Sequence, residues 1–141
     1  MPVDVIVGDF GSGKSKMAFA IAAQLKQRQN KKIFYYSLHN YKKIMETVIP
    51  DNSVVVLDEG DSYFKNYSKD KMTEVTKPIL ARGRYGKILV IIIVHDASQI
   101  PTWLKGYHPK IIFLNIDKED EEWIKYWTDG KPLDHNDTIQ L

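Results

Sequence analysis

The chain contains no cysteine. That excludes disulfides, thiolate metal sites, iron–sulfur clusters and a thiol nucleophile, and it fits a reducing compartment. Glycine (8) and proline (6) are sparse among 141 residues, which excludes collagen-like and low-complexity architectures. Long hydrophobic runs are missing as well. The longest, residues 88–94, is seven residues, where a membrane-spanning helix needs ~20. The amino end has no basic-then-apolar signal-peptide pattern. The expectation is a soluble cytoplasmic protein without a membrane span. With 43% apolar and 27% charged residues, the chain is expected to be one globular domain over residues 1–141.

Acidic residues are absent from whole stretches. Residues 10–43 carry eight Lys/Arg and no Asp/Glu, and residues 62–87 carry seven against two. Residues 44–61 carry five acids and no base, and residues 117–141 carry eight acids and three bases. The net charge of +2 therefore hides basic and acidic blocks. The basic ones suit phosphate or serve as solvated surface.

What is present reads as alternating strand and helix. Residues 3–7, 32–37, 54–57, 88–94 and 111–116 are apolar strand candidates. Residues 14–28 form a helix with Met17, Ile21 and Leu25 at helical spacing. Residues 41–49 read as a short helix with Ile44 and Val48 on one face and Pro50 as its stop. Residues 71–81 read as a helix that Pro78 kinks or divides. Residues 117–128 read as an acidic helix, and 131–141 as a polar tail that frays or docks on a neighbouring subunit. The uninterrupted β-branched run at 88–94 belongs in a parallel sheet covered on both faces. The pattern predicts an α/β doubly wound sheet.

Between the first strand and helix lies Gly8-Asp9-Phe10-Gly11-Ser12-Gly13-Lys14-Ser15, matching G-x-x-x-x-G-K-[ST] at every fixed position. Its backbone amides and the helix N-terminus suit phosphate oxygens. Lys14 is expected at the β- and γ-phosphates, and Ser15 on Mg²⁺. The loop residues and Lys16 are the expected ATP contacts. The third strand delivers Asp58 and Glu59 to its carboxyl end, the edge where open α/β sheets bind ligands. Asp58 is expected to hold Mg²⁺, directly or through water. Glu59 is expected to orient or deprotonate the attacking water. A second acid beside the metal ligand points to hydrolysis rather than to a kinase.

Residues 80–87, Leu-Ala-Arg-Gly-Arg-Tyr-Gly-Lys, precede the fourth strand, which ends in His95 and Asp96. Phosphate loop, Asp-Glu strand, Arg-bearing helix end, apolar strand and polar tip follow one another in an order that resembles the FtsK/HerA-type DNA-pumping ATPases. Viral genome-packaging ATPases and Zot-like phage assembly proteins are similar. The resemblance spans residues 3–101. It implies a three-layer, mostly parallel RecA-like P-loop NTPase sheet with helices on both faces. It implies Mg²⁺-dependent ATP hydrolysis by a homo-oligomeric ring such as a hexamer, acting on DNA without sequence preference, in the host cytoplasm if the protein is viral. It assigns Lys14, Ser15, Asp58 and Glu59 the roles above. It suggests Arg82 or Arg84 as a finger on a neighbour's γ-phosphate; surface ion pairs or nucleic-acid contacts are the alternative for both. A nucleotide-gated assembly module with slow turnover is the rival function.

The family usually places a γ-phosphate-sensing glutamine at the fourth strand's end. Here Asp96 falls nearest that position and His95 lies beside it, so either is the sensor candidate; His95 alternatively caps the strand. Tyr63, Phe64 and Tyr67 interleave with Lys65, Lys69 and Lys71 in a stretch suited to line a pore or to pack as a loop. Trp123 and Trp127 read as core or interface. His39, His108 and His135 lack metal-ligand spacing and receive no role.

Overall fold

A computed structural model describes residues 3–8, 11–37, 40–59, 69–114 and 138–140, with side chains at all of these except 69–72 and 138–140. Asp9, Phe10, the aromatic–basic stretch at 61–68, His39, the expected acidic helix at 117–128 and most of the tail lie outside the described residues.

Short β-branched runs make the strands, because branched side chains pack well on a pleated surface. They are β1 (Val3–Gly8), β2 (Lys32–Tyr36), β3 (Ser53–Leu57), β4 (Leu89–Val94), β5 (Lys110–Leu114) and β6 (Thr138–Gln140). Among the described residues two long helices join them, α1 (Lys14–Gln29) and α2 (Lys69–Gly86). The sheet order is β2-β3-β4-β1-β5-β6. Every neighbouring pair is parallel except β5 with β6. Thr138–Gln140 lie antiparallel on β5, so at these residues the tail rests on its own sheet.

Side chains alternate between the two faces with period two. On one face Ile6, Val54, Val56, Ile91 and Ile93 meet α1 through Ala18 and Ala22, with Met17, Ile21 and Leu25 at the margin. Alanines one turn apart let the helix lie close on the sheet. On the other face Val5, Val55, Leu57, Val90 and Ile92 meet Ile79 and Leu80 of α2, together with Tyr41, Ile44 and Leu104 from 3₁₀ turns and with Ile100, which follows another such turn. The result is the expected three-layer, mostly parallel sheet with helices on both faces.

Two local expectations differ from the structure. Residues 41–49 are not one helix: a 3₁₀ turn covers Tyr41–Met45 and the chain then extends. Pro50 disfavours helical backbone at Ile49, so Ile49 enters the core while Val48 is 87% exposed. The helix through Pro78 is neither divided nor short; it runs to Gly86. Proline removes a bond to the carbonyl four residues earlier. Glu74 and Pro78 both face solvent, so water can take that carbonyl's free lone pair. The Arg82–Tyr85 segment is therefore the last turn of α2.

Candidate nucleotide site

β1 leads into the glycine-rich loop, and α1 begins at its end. Gly8 is required by close approach: a Cβ there would sit 2.5 Å from Ser12 Oγ and 2.7 Å from the Leu114 carbonyl oxygen. Gly13 is the N-cap of α1 at φ 89°, a left-handed conformation that strains other residues. It offers no side-chain cap, and the first turn holds no acid. The amides opening α1 thus keep their affinity for an external anion. Among the described residues Ser12 Oγ is buried with no hydrogen-bond partner, the condition of a donor awaiting a ligand or water.

Chain order brings three strand tips together. β4 lies between β1 and β3, so its tip sits between the loop after β1 and the acids after β3. A cleft of about 480 Å³ opens there, lined by Gly11 through Lys16, by Asp58 and Glu59, and by Ile93, Val94 and His95. The buried Lys14 ammonium donates to the Gly8 carbonyl at 2.6 Å and lies 2.7 Å from His95 Nδ1. An ammonium has no lone pair, so Nδ1 accepts and the ring proton sits on Nε2. Ser15 Oγ donates to Asp58 Oδ2 at 3.3 Å. The Glu59 amide donates to Asp58 Oδ1 at 2.8 Å. Glu59 itself holds φ 56°, a sparsely populated conformation that tends to mark functional positions.

No family model matches the chain, and no curated protein matches it. Solved structures do. The genome packaging NTPase B204 from Sulfolobus turreted icosahedral virus 2, in complex with ATPγS, aligns with TM-score 0.63 at 15% identity, covering 92% of this chain and 83% of that one. The DNA-packaging ATPase B204 from Sulfolobus turreted icosahedral virus aligns with TM-score 0.63 at 16% identity, with coverages of 92% and 83%. AMPPCP-bound DnaA from Aquifex aeolicus aligns with TM-score 0.57 at 12% identity, over 87% of this chain but only 43% of that one.

The fold is that of the RecA-like P-loop NTPases.

Within that fold the two sensor candidates separate. Asp96 accepts from the Ser98 amide at 2.8 Å and caps a short 3₁₀ turn, so its carboxylate is engaged in structure. His95 faces the P-loop lysine. The two arginines sit at the opposite edge of the sheet. Arg82 donates to the Ile49 carbonyl at 2.9 Å and to Asp51 at 2.8 Å. That ion pair is largely exposed, at 45% and 72% for its two side chains, and contributes little to stability. Arg84 is exposed. Among the described residues, neither lines the nucleotide cleft of its own chain.

Sequence reasoning missed Tyr35. Read simply as a strand residue, it lies on β2 beside β3, and its hydroxyl donates to Asp58 Oδ2 at 2.6 Å. The backbone reinforces the join, because the Asp58 amide donates to the Tyr36 carbonyl at 2.8 Å. Burial first, then the hydrogen bond to Asp58 and its charge, push the Tyr35 phenol well above its ordinary range, so it remains a donor at neutral pH. The ring packs on Phe19 with centroids 5.2 Å apart. The available signal was parity: Tyr35 and Tyr36 alternate across the sheet, so one of them had to share a face with the P-loop helix.

Proposed function

We propose that this protein hydrolyses ATP with Mg²⁺ in the cleft above β1, β3 and β4, working in the cytoplasm (the host's, if the chain is viral) as one subunit of a homo-oligomeric ring that moves DNA. One observation carries the hydrolytic reading: Lys14, Ser15, Asp58 and Glu59, drawn from two distant segments, line a single 480 Å³ cleft beside an uncapped helix start.

The residues fit the metal. Ser15 Oγ and the Asp58 carboxylate are hard oxygens 3.3 Å apart, the donor type Mg²⁺ takes alongside phosphate oxygens and water. When bound there, Mg²⁺ offsets the charge on the transferring phosphoryl group. The α1 amides and Ser12 Oγ donate to phosphate oxygens. Lys14 turns from the Gly8 carbonyl and His95 to the β- and γ-phosphates. Glu59 accepts a proton from water as the water oxygen bonds to the γ-phosphorus and the bond to the β-bridging oxygen breaks. His95, relieved of the Lys14 ammonium, is the better placed γ-phosphate sensor, since Asp96 is occupied by its cap. A finger from Arg82 or Arg84 acts on the neighbouring subunit's nucleotide, which their position at the far edge of the sheet favours.

Support for a DNA motor comes from the packaging ATPases with which the chain shares its fold and from the basic blocks of the sequence. The test is ATP turnover with and without duplex and single-stranded DNA. Turnover is expected to rise several-fold with DNA, with binding that weakens as salt rises. Turnover without DNA stimulation or salt-sensitive binding removes the DNA part and favours the nucleotide-gated assembly module.

Tyr35 should tune the metal site. Tyr35→Phe keeps the ring and its contact with Phe19 but removes the donor to Asp58. Partners that orient a metal ligand are typically worth about 10–100-fold in metal affinity. The Mg²⁺ concentration for half-maximal turnover should therefore rise about tenfold, and Mn²⁺ binding to the ADP complex, followed by electron paramagnetic resonance, should weaken equally. An unchanged metal requirement would remove Tyr35 from the site.

A further inference from the structure

At the sheet edge opposite the nucleotide cleft, the turns entering β2, β4 and β5 surround a second cavity of about 880 Å³. Its wall carries Lys31, Arg84, Lys87 and His108, with Gln29 and Tyr107 between them. Among the described residues no carboxylate lines it. Lys31 is 6% exposed, and its ammonium donates to Asn52 Oδ1 at 3.2 Å and to the Lys87 carbonyl. Burial first, then the charge of Lys87, pull its pKa below the ordinary lysine value. Like charges thus crowd a concave surface.

The backbone sharpens the point. α2 ends in a Schellman arrangement: the Ile88 amide donates to the Gly83 carbonyl at 3.1 Å, and Lys87 takes the left-handed position at φ 55°. Glycine is the residue favoured there. His108 takes the same conformation, at φ 52°, where the turn before β5 closes. At both positions a basic side chain stands where glycine would relieve strain, and both line the cavity. Strained positions that retain a functional side chain point to ligand binding. The Lys87 carbonyl and Asn52 Oδ1 engage Lys31, while Lys87, Arg84 and His108 line the cavity as exposed residues.

We propose that this cavity is a nucleic-acid site, taking the phosphodiester backbone of a single strand on Lys87, Arg84 and His108, while the half-buried Tyr107 ring, held against Trp103 with centroids 5.9 Å apart, offers its exposed part to a base. Donors supplied from two segments around 880 Å³, Arg84 and Lys87 from the end of α2 and His108 from the turn before β5, suit successive phosphates better than one small anion. The site rests on the DNA part of the reading above and adds where the strand lies: across the sheet from the hydrolysed phosphate.

The test uses Lys87→Gly and His108→Gly, singly and together, in the full chain. Arg84 is left intact because it is also a finger candidate. Both substitutions relax a left-handed residue, so the melting temperature should hold or rise and DNA-free ATP turnover should stay unchanged. Anisotropy of a labelled single-stranded oligonucleotide should show the double variant binding about tenfold more weakly, with the log-affinity against log-salt slope of Lys87→Gly smaller by about one. Lys42→Gln, which removes a surface charge elsewhere, should change little. Losses no greater than that control overturn the proposal. So does weakened tripolyphosphate binding with oligonucleotide binding intact, which would mark a small-anion site. A wild-type protein that hydrolyses ATP but binds no oligonucleotide overturns both this site and the DNA reading; wild-type binding that the glycine variants retain overturns this site alone.

Discussion

Replacing Lys14 with alanine is expected to abolish nucleotide-dependent activity and to weaken ATP binding at least a hundredfold. The ammonium is held inside the cleft, 2.6 Å from the Gly8 carbonyl and 2.7 Å from His95 Nδ1. It reaches phosphate by exchanging those partners rather than by crossing solvent. Hydrogen bonds to charged groups contribute about 1.5–3 kcal/mol each, so two phosphate contacts correspond to a factor of about 10²–10⁴ in affinity. The fold should tolerate the change, since water entering the open cleft can serve the Gly8 carbonyl and His95. Isothermal titration with ATP, alongside a melting curve, separates the effects. An alanine variant that binds ATP as the wild type does would remove the P-loop from the nucleotide site.

Much of this site is legible in sequence because its parts are local. The Gly8–Ser15 loop is contiguous, and its strand and helix flanks announce themselves by β-branched runs and by Met17, Ile21 and Leu25 at helical spacing, although the structure buries Ala18 and Ala22 and leaves those three at the margin. Asp58 and Glu59 end an apolar strand, and the carboxyl edge of a parallel sheet is where ligands gather. What escapes the sequence depends on pairing across it. Tyr35 reaches Asp58 only because β2 lies beside β3 in a register that sets Tyr35 against Val56 and Tyr36 against Leu57. Lys14 and His95 are 81 residues apart, and their contact follows from β4 lying next to β1.

Asp96 shows a different gap: Asp-Ala-Ser is a recognisable cap pattern, but its place after the fourth strand drew it toward a sensing role. The length of α2 was hidden by Pro78, Gly83 and Gly86, which locally read as breakers. Tertiary packing outweighs them. Ile79 and Leu80 bury against the sheet, and the far end is fastened where the Asn52 amide donates to the Gly86 carbonyl at 2.7 Å. A helix-interior proline costs about 3 kcal/mol, and two large aliphatic side chains recover about 1.5–3 kcal/mol each on burial. The packing therefore offsets the break, a balance that no local window displays.

Glu59→Gln should separate binding from chemistry. Glutamine keeps the shape of the side chain, and the Glu59 amide that donates to Asp58 Oδ1 at 2.8 Å is untouched, so the metal-binding arrangement should survive. What disappears is a carboxylate able to accept the proton of the attacking water. General-base assistance is worth about 10²–10⁴-fold, and turnover should fall by that factor while the affinity for ATP stays within about twofold of wild type. The purified variant, incubated with ATP and Mg²⁺ and passed through a desalting column, should retain ATP where the wild type retains ADP. If ring subunits close on one another's nucleotides, trapped ATP should also shift the protein to larger particles by light scattering. Turnover equal to wild type would transfer the base role away from Glu59. Loss of binding together with turnover would mean that the charge of Glu59 holds the site together rather than moving the proton.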